Sequence, residues 1–428
     1  MGSNGIFTQT MFLGVGIRMD EQHLKVERRI FIVSETIRLI ERAFVHWDDA
    51  KVKPDELDQV AETFFEKAVE AETRFDFAKV MWELFGLLRN AHSGYSDTRI
   101  PEYGNEVLSF SLLELKDEWV VNRDAANILK SGDLVLSIEG KSPSEWSKEL
   151  EIYTGLANNT SQHSRTEFFL PYFIQNKSIE VEIEDQNHSR KTVMLPRLAR
   201  NDERFHVTNQ PSETEGKWIE KGKVAYIRIP SFGEPHYENR AVELVQEYGH
   251  ARAIIVDVRG NGGGSTPSEL TKKLMDRPYR WWIERSRHPE WLRKRHGSAD
   301  LLFPENYSYA EWRPNWQEPA DERERYNGQI LFLTDRFVGS ATEDFIMPFK
   351  DNARATVIGE RTWGSTGQPV WKRIDEDIYI GVGSIRALFP NGEPFEGIGI
   401  TPDIPVERRR EDLYNNRDVV LEKALEFI

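Results

Sequence analysis

The spacing of apolar positions changes character along the chain. Ile30, Val33, Ile37, Ile40 and Phe44 recur at three- and four-residue steps, which is one face of an amphipathic helix. Pro54, Asp55 and Glu56 then open a second such run through Leu57, Val60, Phe64 and Ala68, with proline and acids in its first turn. Val80, Leu84 and Leu87 make a third, which stops at Asn90 before the polar run Ala91-His92-Ser93-Gly94-Tyr95. From residue 105 the period becomes strand-like: Leu108–Leu115, Trp119–Asn122, the segment Leu134–Ile138 between Gly132-Asp133 and Gly140, Ile179–Ile183 and Thr192–Leu195. The polar stretch 201–222, with Pro211, Gly216 and Gly222, reads as a linker.

From residue 223 strand and helix patterns alternate. Val224–Ile229, Ala253–Val258, Gln329–Thr334 and Ala355–Ile358 read as strands, with helices at Tyr237–Tyr248, at Pro267–Met275 and after Ser340. Repeated strand-then-helix order predicts an α/β core. A tract at 281–327, rich in Trp, Arg, His and Pro, reads as an insertion packed on that core.

Composition narrows the chemistry. The 428 residues include no cysteine, which excludes a thiolate nucleophile, a disulfide scaffold and any zinc–thiolate site. Basic residues number 56 and acidic ones 71, a net charge of −15, which argues against a nucleic-acid partner. No run approaches the ~20 apolar residues that span a bilayer. The apolar patch Met11–Ile17 lacks a basic flank and reads as a first strand rather than a secretory signal. The ten histidines show no H-E-x-x-H spacing, so no metal site is predicted.

Two strand-to-helix junctions could hold chemistry. Gly262-Gly263-Gly264 follows a buried strand, where glycine frees backbone N–H groups to approach an anion; the alternative is a tight turn and nothing more. Dinucleotide and Walker patterns both fail there. Ser340 heads the second helix, with Glu343 three residues on. That spacing fits a capping box, and it equally fits a nucleophile whose oxyanion lies against helix N-terminal amides. A serine nucleophile needs a base, and His92 sits on a loop at a helix end.

Together the segments resemble the C-terminal processing (tail-specific) serine peptidases, a family that includes the tricorn protease core. Asp257-Val258-Arg259-Gly260-Asn261-Gly262-Gly263-Gly264 resembles that family's D-x-R-x-N-x-G-G turn, and Ser340-Ala341-Thr342-Glu343 its S-A-[ST]-E nucleophile segment. Gly359–Gly364 and Glu396–Asp403 resemble its G-x-x-T-x-G and E-G-x-G-[IV]-x-P-D segments. The resemblance implies a crotonase-like (ClpP-like) α/β catalytic core over 223–428, a helical N-terminal region over 1–102, and a PDZ-like β-rich module over 103–200. It implies peptide-bond hydrolysis through an acyl-enzyme, without cofactor or metal, on a peptide or unfolded protein held by its C-terminus. An extracytoplasmic location is the family's usual one.

By the same resemblance Ser340 is the nucleophile, with backbone N–H groups of Gly263 and Ala341 as the oxyanion hole and Gly264 as the neighbouring candidate. Relatives with a Ser-Lys dyad carry lysine straight after the glycine of G-x-x-T-x-G, and here Ser365 stands there. The chain therefore suits the histidine-based variant: His92 as base, oriented by Glu396 directly or through a hydroxyl for which Ser93 is the candidate. Glu343 is read as a structural cap, the alternative being that it polarises the site through a nearby hydroxyl, and Asp257 and Arg259 as pins of the glycine turn. The missing lysine leaves a second reading open, a non-catalytic peptide- or apolar-ligand-binding protein on the same scaffold. Acyl-CoA chemistry ranks last, since only the implied core topology suggests it.

Overall fold

The computed structural model describes residues 23–100, 106–116, 118–154, 159–199, 201–206, 212–296, 301–302 and 309–428. The patch Met11–Ile17 lies outside them. Among the described residues no helix is long and apolar enough to cross a membrane.

Three helices, Val26–Ala43, Leu57–Glu70 and Arg74–Gly86, realise the three sequence periodicities. The third starts at a reciprocal cap: Thr73 accepts from the Asp76 N–H (3.0 Å) while Asp76 accepts from the Thr73 N–H (3.1 Å). After it comes the turn bearing His92, then the strand Gly94–Asp97, which pairs antiparallel with Ile378–Gly383 from the far end of the sequence. Arg74 donates twice to Asp97 (2.6 and 2.8 Å), so the His92 turn is tied down on both sides.

The segment 106–199 forms a six-stranded antiparallel sheet in the order 106–108, 190–199, 178–184, 134–138, 118–124, 110–115. Between its strands Leu134–Ile138 and Ser178–Glu184 run two helices the sequence reading did not predict, Pro143–Thr154 and Asn159–Phe173. The first of these packs on the N-terminal helices at Gly86, where a Cβ would lie 2.0 Å from the Ile152 carbonyl oxygen. The sheet's inner face and the N-terminal helices share one apolar core that includes Ile32, Phe77, Ile138 and Val181.

The C-terminal part is built on a second six-stranded sheet, in the order 404–405, 356–359, 329–334, 253–257, 224–228, 215–220. All its pairings are parallel except the last. That last pairing corrects the reading of 201–222 as linker: Glu215–Glu220 is an edge strand of the core, polar because one edge faces solvent. Ala253–Asp257 is buried throughout, as a central parallel strand covered on both faces should be. The aromatic tract contributes strands Ile283–Ser286, Leu301–Leu302 and Ala310–Trp312, which with Arg386–Leu388 form a small antiparallel sheet. Trp282 anchors it, packed on Phe395 and donating to Asp344 (2.8 Å).

Candidate active site

Ser340 lies between the strand Gln329–Thr334 and the helix Ala341–Asp351, beyond the carboxyl ends of the parallel strands, where open α/β sheets place ligands. Its φ is +53°, sparsely populated for a residue with a Cβ, and surrounding contacts impose it. The Ser340 N–H is shared between the Ser365 carbonyl (3.0 Å) and the Glu343 carboxyl (3.1 Å). Gly339 admits the Trp363 ring where a Cβ would lie 2.5 Å from it. Ser340's hydroxyl makes no cap hydrogen bond to its own helix and meets His92 Nε2 at 3.2 Å.

The relay continues from the other ring nitrogen. His92 Nδ1 lies 2.9 Å from Ser365 Oγ, and Ser365 Oγ donates to Glu396 Oε1 at 2.7 Å. The hydroxyl that links histidine to carboxyl is thus Ser365, not Ser93. Ser93 donates to Asn90 Oδ1 (2.9 Å) and accepts from the Gly383 N–H (3.0 Å), fixing the turn rather than the charge path.

Donor and acceptor roles follow by elimination. The His92 backbone N–H can only donate, and it meets Asn90 Oδ1 (3.1 Å), so the Asn90 amide nitrogen faces Glu396 Oε1 (2.8 Å). Oε1 therefore accepts from both Asn90 and Ser365. Having spent its one proton on Glu396, Ser365 Oγ accepts from Nδ1–H, which leaves the Nε2 lone pair facing Ser340.

Burial, helped by the positive charge of Arg165, holds His92 down at about 4, so its imidazole is neutral at ordinary pH. Burial pushes Glu396 up to about 8, the Ser365 hydrogen bond opposing it, and its second oxygen is buried without a partner. Glu343 is also buried. It accepts from the N–H groups of Ser340, Gly364 (2.8 Å) and Ser365 (3.1 Å) and from the Thr362 hydroxyl, clamping the 362–365 loop to the head of the helix Ala341–Asp351.

The glycine turn lies directly behind Ser340. Gly263 has φ +106°, and a Cβ on it would sit 2.7 Å from Ser340 Cβ and 2.8 Å from the Ala341 nitrogen. One expectation is corrected here: the Gly263 N–H donates to Asn261 Oδ1 (3.0 Å) and is not open to a substrate oxygen in this conformation. Gly264 is packed against the Phe232 backbone. The Ala341 N–H heads the helix, where no carbonyl of the preceding turn can accept it. Asp257 and Arg259 pin the turn from behind, Arg259 bridging Asp257 (2.6 Å) and Asp418 (2.8 Å).

A cavity of about 590 Å³ opens on the Ser340–His92 pair. Its walls are largely aromatic, with Trp82, Phe168, Trp363 and Trp371 among them, and two arginines, Arg165 and Arg336, line it. Trp371, on the strand Pro369–Arg373, lies flat on Gly381 of the neighbouring strand, where a Cβ would come within 2.5 Å of the ring.

Residues 223–406 match the family model described as Peptidase family S41. The tricorn protease homolog of Saccharolobus solfataricus is 24% identical over 424 residues, covering 92% of this chain and 34% of the relative. The tail-specific protease of Haemophilus influenzae is 24% identical over 306 residues, 68% of this chain and 38% of the relative. The chain spans only about a third of the length of these curated relatives. Among solved structures, mature CPAF complexed with lactacystin superposes with a TM-score of 0.73 at 15% identity, covering 93% of this chain and 97% of that one. The fold is thus the mixed α/β fold of that structure.

Proposed function

We propose that this chain, with its S41 segment at 223–406, is a serine peptidase that hydrolyses peptide bonds through an acyl-enzyme on Ser340. The observation that supports this most is the continuous path Ser340–His92–Ser365–Glu396, each step at 3.2 Å or less, assembled from four separate stretches of sequence. His92 Nε2 takes the Ser340 proton as Oγ attacks the scissile carbonyl, then returns it to the leaving amine. Ser365 holds the Nδ1–H tautomer, and Glu396 steadies the imidazolium through that hydroxyl. The Ala341 N–H, at the positive end of its helix, receives the developing oxyanion.

The lysine whose absence left a binding-protein reading open has its place filled by the bridging serine, so a base is present by another route. We read the mostly parallel sheet as a crotonase-like core and the six-stranded antiparallel unit with its two helices as the PDZ-like module. The substrate is a peptide or unfolded protein, processed from its C-terminal side. The test is labelling by a fluorophosphonate probe together with hydrolysis of an unfolded protein. Both should be present in the chain as it stands and absent in Ser340→Ala. An unlabelled Ser340, or hydrolysis that persists in the variant, would falsify the reading.

A further inference from the structure

The two arginines of the active-site cavity differ in one respect. Arg336 is neutralised by Glu114 and Glu360, each at 3.3 Å. Arg165, on the helix Asn159–Phe173, has no carboxylate partner among the described residues. It donates to the Ala91 carbonyl (2.8 Å), lies 5.6 Å above the Trp363 ring and 6.0 Å from the Phe168 ring, and its buried Nε has no acceptor. Burial alone pulls its pKa down to about 10, so it stays charged at neutral pH with no carboxylate among the described residues to balance it.

An uncompensated cation in an apolar wall is costly to the folded chain. The cost is offset when a ligand brings the counter-charge, and the anion a peptide carries is a carboxylate, whose planar pair of oxygens suits a guanidinium. The position is specific, because Arg165 holds the carbonyl next to His92 and its charge is felt at that imidazole. We infer that Arg165 is a specificity-determining residue that binds a substrate carboxylate close to the scissile bond, so that the cavity takes peptides joining aromatic or aliphatic bulk to a nearby acidic group. This rests on the peptidase reading for the word substrate, but the binding claim stands without it.

The rival role is purely structural, with Arg165 holding the His92 turn through Ala91. Two readouts separate them. In the Ser340→Ala chain, quenching of tryptophan fluorescence (Trp82, Trp363 and Trp371 line the cavity) reports peptide binding without turnover. The probes are decapeptides of one apolar, C-terminally amidated sequence with a single Glu scanned through every position, each paired with its Gln counterpart. A carboxylate-free decapeptide with a free C-terminus tests the chain end as the source of the anion.

At one position, or at the free chain end, the acid should bind about 10- to 100-fold more tightly than its neutral counterpart, the usual worth of a charge-assisted hydrogen bond. Arg165→Gln should erase that difference and Arg165→Lys should keep part of it, with thermal melting showing both variants folded. Equal binding of every pair in the Arg165 chain, or the same loss for acid and neutral peptides in Arg165→Gln, overturns the inference. Cleavage of the same peptides by the chain with Ser340 intact is scored separately. If none is cut, the peptidase reading fails while the binding comparison still decides the role of Arg165.

Discussion

At the scale of single residues, Ser365 occupies a position that needs a hydroxyl and little else. Ser365→Ala leaves Nδ1 without its acceptor and Glu396 without one of its two donors, so kcat should fall by ~10²–10⁴ with KM nearly unchanged, as for loss of a positioned acid–base partner. Ser93→Ala, which frees Asn90 and the Gly383 N–H but leaves the path through Ser365 intact, should cost far less, and equal losses would contradict the assigned path. His92, held near 4, is already neutral in mildly acid solution, so the acid limb of kcat/KM should lie near 4 rather than at 6.5. A pH–rate profile with its limb at 6.5 or above would refute that. Ser340, His92 and Glu396, which the fold brings together, could be picked out because each sits in a motif of local spacing. The bridging hydroxyl could not. Ser93 is adjacent to His92 in sequence, but the turn aims its side chain at Asn90, and only the tertiary fold brings residue 365 to the ring.

At the scale of elements, periodicity located the parallel core strands and the N-terminal helices to within a few residues, because burial of a whole face dictates their spacing. It failed where burial is one-sided or shared. Glu215–Glu220 alternates too weakly to be seen as an edge strand, and Asn159–Phe173 lacks an even apolar stripe and carries Pro171 inside it. The strand Ile378–Gly383 illustrates what such contacts demand. A Cβ at Gly383 would lie 2.5 Å from Asn90 Oδ1 and 3.0 Å from the His46 ring. Gly383→Ala should therefore push Asn90 off both His92 and Glu396, lowering stability by about 1–3 kcal/mol as an overpacked site does. Activity should fall more than stability alone explains. Urea melts and kcat measured on the same preparation separate the two effects.

At the scale of the whole molecule, buried titratable groups set the pH range of stability. His46 and His92 are held near 3 and 4 against an ordinary 6.5, so their contribution is full above 6.5 and is lost as pH falls and the unfolded chain takes up protons first. Glu343 and Glu396 are raised to about 8 from 4.5, so theirs is full below 4.5 and is lost as pH rises toward 8. The two effects oppose each other between 4.5 and 6.5 and act alone outside that window. The urea midpoint should therefore be highest in that range and decline on both sides, and Glu396→Gln should flatten the alkaline decline. A midpoint that climbs steadily to pH 9 would contradict the burial assigned to these carboxyls.

The antiparallel pairing of Gly94–Asp97 with Ile378–Gly383 also has a temporal meaning. A ribosome makes His92 first, Ser340 248 residues later and Glu396 later still. Until the stretch through Glu396 has emerged and the late strand has annealed to the early one, the proposed relay is incomplete and its parts lie apart. On the peptidase reading, the order of synthesis thus acts as a safety catch, since a half-made molecule cannot yet cut the unfolded chains around it.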